Sequence, residues 1–376
     1  MGEEEPLGIG ALLHWNSLLV LGSIFVTLVG LTTFTSRLDG VHISIVIGLL
    51  ILSIILLITA ADFFIEGAKG LAEKAGIAEV IIGLTIVSIG TSLPEILVTS
   101  TAAASAGRTG DTAMMDLAVG NIFGSVLVQI TFILGIVALV TPLNIRPDWL
   151  RRDGLIMLGA VILCSLLLWT GGGLSRLEGL ILCSTYVAYI WWLLRNRDNI
   201  REDEIETVGE IRSSDFSWTT AAYLVMVIIG LFFAIFAATK LVELASEIGK
   251  SMNIPPAIVG TVMSGLGTSL PELTVALMAA KRSSGVAIGT LVGSNITDPL
   301  LSIGIAAMIN PLVVSTESYG LIMHLIVPAT IIGVTICLFM MYTGMQFTRM
   351  EGGVLIGLYI FFLVLLELQR KGFIVL

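Results

Sequence analysis

The chain has 376 residues, 56% of them hydrophobic and only 12% charged, with a formal net charge of −9 and a mean hydropathy of +1.01. A water-soluble domain carries roughly 25% charged residues, so this composition excludes a soluble enzyme. It also offers no basic cluster for nucleic acid, and its acids collect in Glu3, Glu4 and Glu5 and in seven positions between Asp198 and Asp215.

Apolar runs long enough to cross roughly 30 Å of hydrocarbon recur along the whole length. They predict an all-α polytopic membrane protein with eleven spans. In chain order these are 12–34, 43–66, 77–105, 113–140, 154–171, 176–195, 217–245, 255–280, 286–309, 319–343 and 353–368. The short alternating segments of a β-barrel are absent from the pattern. The first run follows acids rather than a basic region and is long for a secretory signal, so it reads as a retained helix. Residues 196–216, NRDNIREDEIETVGEIRSSDF, read as an acidic, solvated linker. Cys164, Cys183 and Cys337 lie in apolar runs, which argues against a disulfide framework or a cysteine metal site. His14, His42 and His324 are scattered and read as helix-end or packing residues.

With eleven spans, alternate loops lie on opposite sides. One side collects twelve Lys and Arg residues and the other six, Lys240 being left out as lying within a helix. The positive-inside rule then places the N-terminus and the 196–216 linker in the cytoplasm and the C-terminus outside.

The third span contains SIGTSLPEILVTS (88–100) and the eighth SGLGTSLPELTVA (264–276). The pairs Glu66/Glu243, Gly83/Gly260, Gly90/Gly267 and Glu95/Glu272 share an offset of 177 residues. A second pair of stretches follows, VGNIFGSVLVQITFILG (119–135) and IGTLVGSNITDPLLSIG (288–304). There Gly120, Gly124, Ser125 and Gln129 align with Gly289, Gly293, Ser294 and Asp298 at an offset of 169, the first copy having eight more residues in its connector. The third and eighth spans run in opposite directions, which predicts an inverted-repeat transporter with its site at the repeat interface near the midplane. The expected organisation is an extra N-terminal helix in 1–40, a first five-helix repeat in 41–195, the linker, and a second in 217–376.

Pro94 and Pro271 have no amide hydrogen, so the carbonyls of Gly90 and Gly267 lose their helical partners and the helices bend. Freed carbonyls at membrane depth are tolerable only where they face a cavity or a ligand. Glu95 and Glu272 add two carboxylates, each costing several kcal/mol in the bilayer unless paired or hydrated. No Lys or Arg lies nearby in sequence to neutralise them, so a bound cation is the economical partner. Glutamate carboxylates, backbone carbonyls and the hydroxyls of Thr91, Ser92, Thr268 and Ser269 make a hard, all-oxygen set suited to Ca²⁺. Nothing soft is offered for zinc or copper. Asp298 is a third embedded acid, and Ser125, Ser294 and Gln129 fall on the faces that would meet the same site. Glu66 and Glu243 lie near span ends, where an interfacial role is the simpler reading.

The doubled GTSLPE, each copy followed by a GS-containing stretch, resembles the cation/calcium exchanger superfamily, in particular its prokaryotic Na⁺/Ca²⁺ exchanger-like branch. The resemblance covers nearly the whole chain beyond span 12–34. It implies that Glu95 and Glu272 bind Ca²⁺ with the backbone oxygens of Thr91 and Thr268. It also implies that Ser92, Ser269, Ser125 and Ser294, with the carbonyls of Ser88 and Gly265, complete monovalent-cation sites. Spans 43–66 and 217–245 would slide across the core to alternate access. The first GS stretch departs from the family's GSN pattern, with Val126 and Gln129 where Asn is usual, whereas GSNITD in the second copy is regular.

The resulting expectation is a plasma-membrane antiporter exchanging Ca²⁺ for Na⁺, with H⁺ as the alternative counter-ion through Glu95, Glu272 or Asp298. No cofactor and no obligatory protein partner are implied beyond the ions and the lipid bilayer. A passive cation channel would require a continuous polar pathway, usually through several subunits. An intramembrane enzyme would require a nucleophile–base pair or histidine cluster that the sequence does not supply.

Overall fold

A computed structural model describes residues 16–35, 42–74, 88–145, 150–195, 218–280 and 284–373. The acidic linker, the start of the third expected span and both chain ends lie outside the described residues. Eight described helices are long and apolar enough to cross a membrane: Asn16–Phe34, Ile43–Phe64, Thr112–Val140, Leu150–Gly171, Thr220–Met252, Ala287–Ile309, Thr316–Gly344 and Arg349–Arg370. Helix Arg176–Arg195 and two interrupted helices, residues 88–109 and 256–280, occupy the positions of the other three expected spans. Helices are the form these runs must take in lipid, where backbone polar groups have no water to bind.

Two helices outrun their apolar stretches. Ile43–Lys74 continues beyond the expected end at 66, and Thr220–Met252 beyond 245. The added segments, GAKGLAEK and SEIGKSM, are polar but include good helix formers, so hydropathy ends before the helix does. Asn253 then stops the second of these in a left-handed conformation, φ 50°, two residues before Pro255. On that helix Glu243 pairs with Lys240 at 2.6 Å on the exposed surface, in keeping with an interfacial role.

The packing runs from a dense centre to a lipid-facing rim. Thr112–Val140 is 83% buried, whereas Asn16–Phe34 is 11% buried. The central crossing depends on missing side chains. A Cβ on Gly120 would overlap the carbonyl of Ala257, one on Gly124 that of Thr261, and one on Gly260 that of Leu117. Small residues thus let helix Thr112–Val128 lie backbone-to-backbone against residues 257–265. The long helices Ile43–Lys74 and Thr220–Met252 also pack closely and run antiparallel, Gly67 facing Met226 and Gly230 facing Phe64. The N-terminal helix rests on this pair through Phe25, whose ring centroid is 4.7 Å from that of Phe233 and 4.9 Å from that of Phe236.

The two halves interlock reciprocally. Strand β1 (Leu143–Asn144) pairs antiparallel with β4 (Gln346–Phe347), and β2 (Gly173–Leu174) with β3 (Leu312–Val313). Gly135 packs on Gly352 and Gly179 on Gly304. Each contact joins the first half to the second, and Gly135 and Gly304 are themselves related by the 169-residue offset. Short π-helical turns interrupt matching helices at Gln129–Ile133 and Asp298–Ser302.

The crossing yields a stability prediction. Gly124→Ala places a methyl group inside a backbone carbonyl and is expected to destabilise the protein by about 1–3 kcal/mol. Gly353→Ala, with nothing within 4 Å, is expected to be neutral. Thermal unfolding of the two variants in detergent compares them directly.

Candidate cation site

Both GTSLPE helices break at the same place. Helix Ser88–Thr91 stops at Ser92, φ −80° and ψ 3°, before helix Leu93–Thr109. Helix Gly265–Thr268 stops at Ser269, φ −87° and ψ 8°, before helix Leu270–Ala280. The interruption falls two residues ahead of each proline, in the bridge region between helix and strand. It sets Glu95 and Glu272 in the first turns of the helices that follow.

The structure brings the predicted residues together across the halves. Glu95, Glu272, Asp298, Ser92, Ser125, Gln129, Ser269 and Ser294 are fully buried, and Thr91 and Thr268 nearly so. Ser269 donates to Glu95 Oε1 at 3.0 Å, so the second copy's serine serves the first copy's glutamate. Thr268 stands beside Glu95, while Thr91 and Ser294 stand beside Glu272. The Thr91 and Ser294 hydroxyls lie 3.4 Å apart. Neither reaches Glu272 in hydrogen-bonding geometry.

Asp298 is held differently. Its Oδ2 accepts from Ser125 Oγ at 3.1 Å and from Gln129 Nε2 at 3.2 Å, and its Oδ1 from Ser302 Oγ at 3.3 Å. Gln129 Nε2 also lies 3.3 Å from Ser269 Oγ. Gln129 and Asp298, which occupy matching positions of the two sequence copies, thus touch each other directly. The candidate site therefore draws on both copies at their point of contact.

Five buried oxygens here make no hydrogen bond: Ser92 Oγ, Glu95 Oε2, Gln129 Oε1, and Glu272 Oε1 and Oε2. None of the ion pairs among the described residues involves the three acids. Buried acceptors are almost always satisfied, so such a group marks a place for a ligand. Its donor set is hard and anionic, which favours a divalent cation with oxygen ligands. Among the described residues no three Asp, Glu, His or Cys side chains converge at ligating distance. Asp298 already accepts from three donors, whereas Glu95 Oε2 and both Glu272 carboxylate oxygens accept from none. The Gly265 carbonyl accepts from Ser269 N at 3.3 Å and Thr268 Oγ1 at 3.4 Å. Ser88 begins the first broken helix, and its side chain lies outside the described residues.

The sequence reading missed Asn121, Thr99, Ser264 and Ser302. Ser302 lies four residues after Asp298, a spacing that in hindsight marks a shared helical face. Asn121 lies in an apolar stretch, and its polarity there was the available signal.

A family model described as sodium/calcium exchanger protein matches residues 45–195 and 222–367. The chain is 30% identical over 351 residues to the sodium/calcium exchanger MaX1 of Methanosarcina acetivorans, covering 85% of this chain and 97% of that one. It is 32% identical to the inner membrane protein YrbG of Escherichia coli, covering 70% and 79%. Among solved structures, the sodium-calcium exchanger NCX_Mj aligns with a TM-score of 0.56 at 26% identity, covering 86% of this chain and 99% of that one.

Glu272→Gln keeps the shape of the side chain but removes one of two uncompensated charges. Loss of one partner from a buried charge pair costs roughly 3–5 kcal/mol, so Ca²⁺ binding is expected to weaken by at least ~100-fold. Equilibrium binding of radioactive Ca²⁺ to purified protein measures this, with retained elution and melting behaviour as the control for folding.

Proposed function

Since the chain belongs to the sodium/calcium exchanger protein family, we propose that it is a secondary antiporter exchanging Ca²⁺ for Na⁺ by alternating access. The observation that carries this reading is the cluster of five buried, unpartnered oxygens on residues from both halves. Two glutamates supply charge for one Ca²⁺ or for monovalent cations in its place, so competition for one site couples the two fluxes. The relatives named above include a sodium/calcium exchanger, and the solved structures of NCX_Mj are described in terms of extracellular ion exchange and binding-site occlusion.

The remaining assignments follow from that reading. Eleven spans form two inverted five-helix repeats behind one extra N-terminal helix, with the N-terminus cytoplasmic, the C-terminus outside and the chain in the plasma membrane. Helices Ile43–Lys74 and Thr220–Met252 are the sliding pair. Their antiparallel contact and peripheral position support this, because a pair that moves together must pack on itself and present a smooth face to the rest. Glu95 and Glu272 ligate Ca²⁺ with oxygens of Thr91 and Thr268. Ser92, Ser125, Ser269, Ser294 and the carbonyls of Ser88 and Gly265 contribute to monovalent sites.

One observation favours H⁺ as the counter-ion instead. Gln129 turns its amide nitrogen toward Asp298 and Ser269, and hydrogens on that nitrogen repel a cation where an oxygen would bind it. A proton carried on a glutamate needs no such ligand.

Radioactive Ca²⁺ uptake into proteoliposomes tests both readings, comparing an outward Na⁺ gradient with an outward H⁺ gradient and using Glu272→Gln as the inactive control. Na⁺-driven uptake is the expected result. Uptake driven by H⁺ alone transfers the coupling to protons. Conductance at single-channel rates, or unchanged uptake by Glu272→Gln, would sink the antiporter reading.

A further inference from the structure

One helical turn from the carboxylates lies a second polar layer that contains no acid. Thr99 follows Glu95 by four residues, Asn121 precedes Ser125 by four, and Ser264 precedes Thr268 by four, so each shares a helical face with a residue of the site. Asn121 Nδ2 donates to Thr99 Oγ1 at 3.0 Å, and Ser264 Oγ donates to Asn121 Oδ1 at 2.6 Å. All three side chains are buried. The amide thus bridges the helix that carries Glu95 and the segment that leads into the second GTSLPE break.

The layer has no counterpart in the other copy. The positions equivalent to Thr99, Asn121 and Ser264 are Ala276, Thr290 and Val87, and neither Ala276 nor Val87 has a side chain able to hydrogen-bond. Burying a polar bridge is costly unless every member is satisfied, and its presence in one half alone sets it apart from the symmetric machinery. The surroundings have little slack, since a Cβ on Gly265 would lie 2.9 Å from Ser125 N and one on Gly124 would overlap Thr261. Between these rigid backbones, the length of the Asn121 side chain fixes how far Glu95 stands from Thr268 and Ser269.

We propose that Asn121 is a positioning residue that sets the spacing between the first-half glutamate and the second-half GTSLPE turn, and so the size of divalent cation the site prefers. The proposal rests on the exchanger reading above, because it concerns the geometry of that Ca²⁺ site. Asn121 itself touches no ion. Its loss loosens the oxygen cage, which costs a small cation that needs short contacts more than a large one.

The test measures Ba²⁺ against Ca²⁺ as competitors of radioactive Ca²⁺ uptake in wild type, Asn121→Ala, Thr99→Val and Thr99→Ser. Losing one such hydrogen bond is expected to lower the preference for Ca²⁺ over Ba²⁺ by about 5-fold in Asn121→Ala and Thr99→Val. Thr99→Ser keeps the hydroxyl and retains the wild-type ratio. Thr99→Val is nearly isosteric and carries the test if Asn121→Ala fails to fold. An unchanged ratio in Thr99→Val, or equal weakening of both cations, overturns the proposal and leaves the bridge a packing element. Wild-type protein that takes up no Ca²⁺ overturns the exchanger reading instead, and this proposal falls with it.

Discussion

Glu95 and Glu272 have no exposed surface, and the helices around them are themselves surrounded by hydrocarbon. An ion taken out of water in this way carries a penalty of several kcal/mol, recovered only through a close counter-charge and well-aimed dipoles. The architecture around the pair supplies dipoles and hydroxyls, and among the described residues no ion pair reaches either carboxylate. Each broken helix ends at a serine ahead of a proline, and each glutamate stands beside at least one hydroxyl from the opposite copy. A lysine or arginine in the same place would satisfy the pair within the fold. With neither carboxylate in an ion pair among the described residues, the charge balance of the folded protein under the proposed reading depends on what is bound.

The two copies of the motif match more closely in backbone than in side chains. Ser92 and Ser269 adopt nearly the same dihedral angles, and the strand and glycine contacts exchange in pairs. The chemistry does not follow: Gln129 faces its own equivalent, Asp298, and donates to it. A carboxylate that receives an amide and two hydroxyls is satisfied as an acceptor, whereas neither carboxylate oxygen of Glu272 has a hydrogen-bond donor. The three acids of the candidate site are therefore unequally satisfied: Asp298 accepts from three side chains, Glu95 from one and the Glu272 carboxylate from none.

The site was legible in the sequence because it breaks the rules of an apolar span. A proline and an acid together at membrane depth, written twice at one offset, identify Glu95 and Glu272 with their neighbours. Gln129 was legible as a departure, but the direction of its amide was not, since that depends on Asp298, 169 residues away. Asn121 passed unnoticed because its two partners, Thr99 and Ser264, are contributed by different helices, and a single amide among glycines and aliphatics looks like packing. The lengths of the helices ending at Lys74 and Met252 escaped for another reason. Hydropathy records where a chain leaves the hydrocarbon, not where its backbone stops coiling.

The reciprocal strand pairs carry a consequence for how the chain comes into being. Leu143 has its ladder partner in Phe347, and Leu174 in Leu312. A ribosome that has made the whole first half has therefore made two strand segments with nothing to pair with, and glycine faces at Gly135 and Gly179 with nothing to meet. Closure at β1 waits for β4, so the first half spends the synthesis of most of the second half as an unfinished surface in the membrane. Contacts this distant in sequence are slow to form and leave their edges open to wrong partners in the interval. The reciprocal interlock thus makes residues 346–352 the step on which closure of the first half at Gly135 and β1 depends.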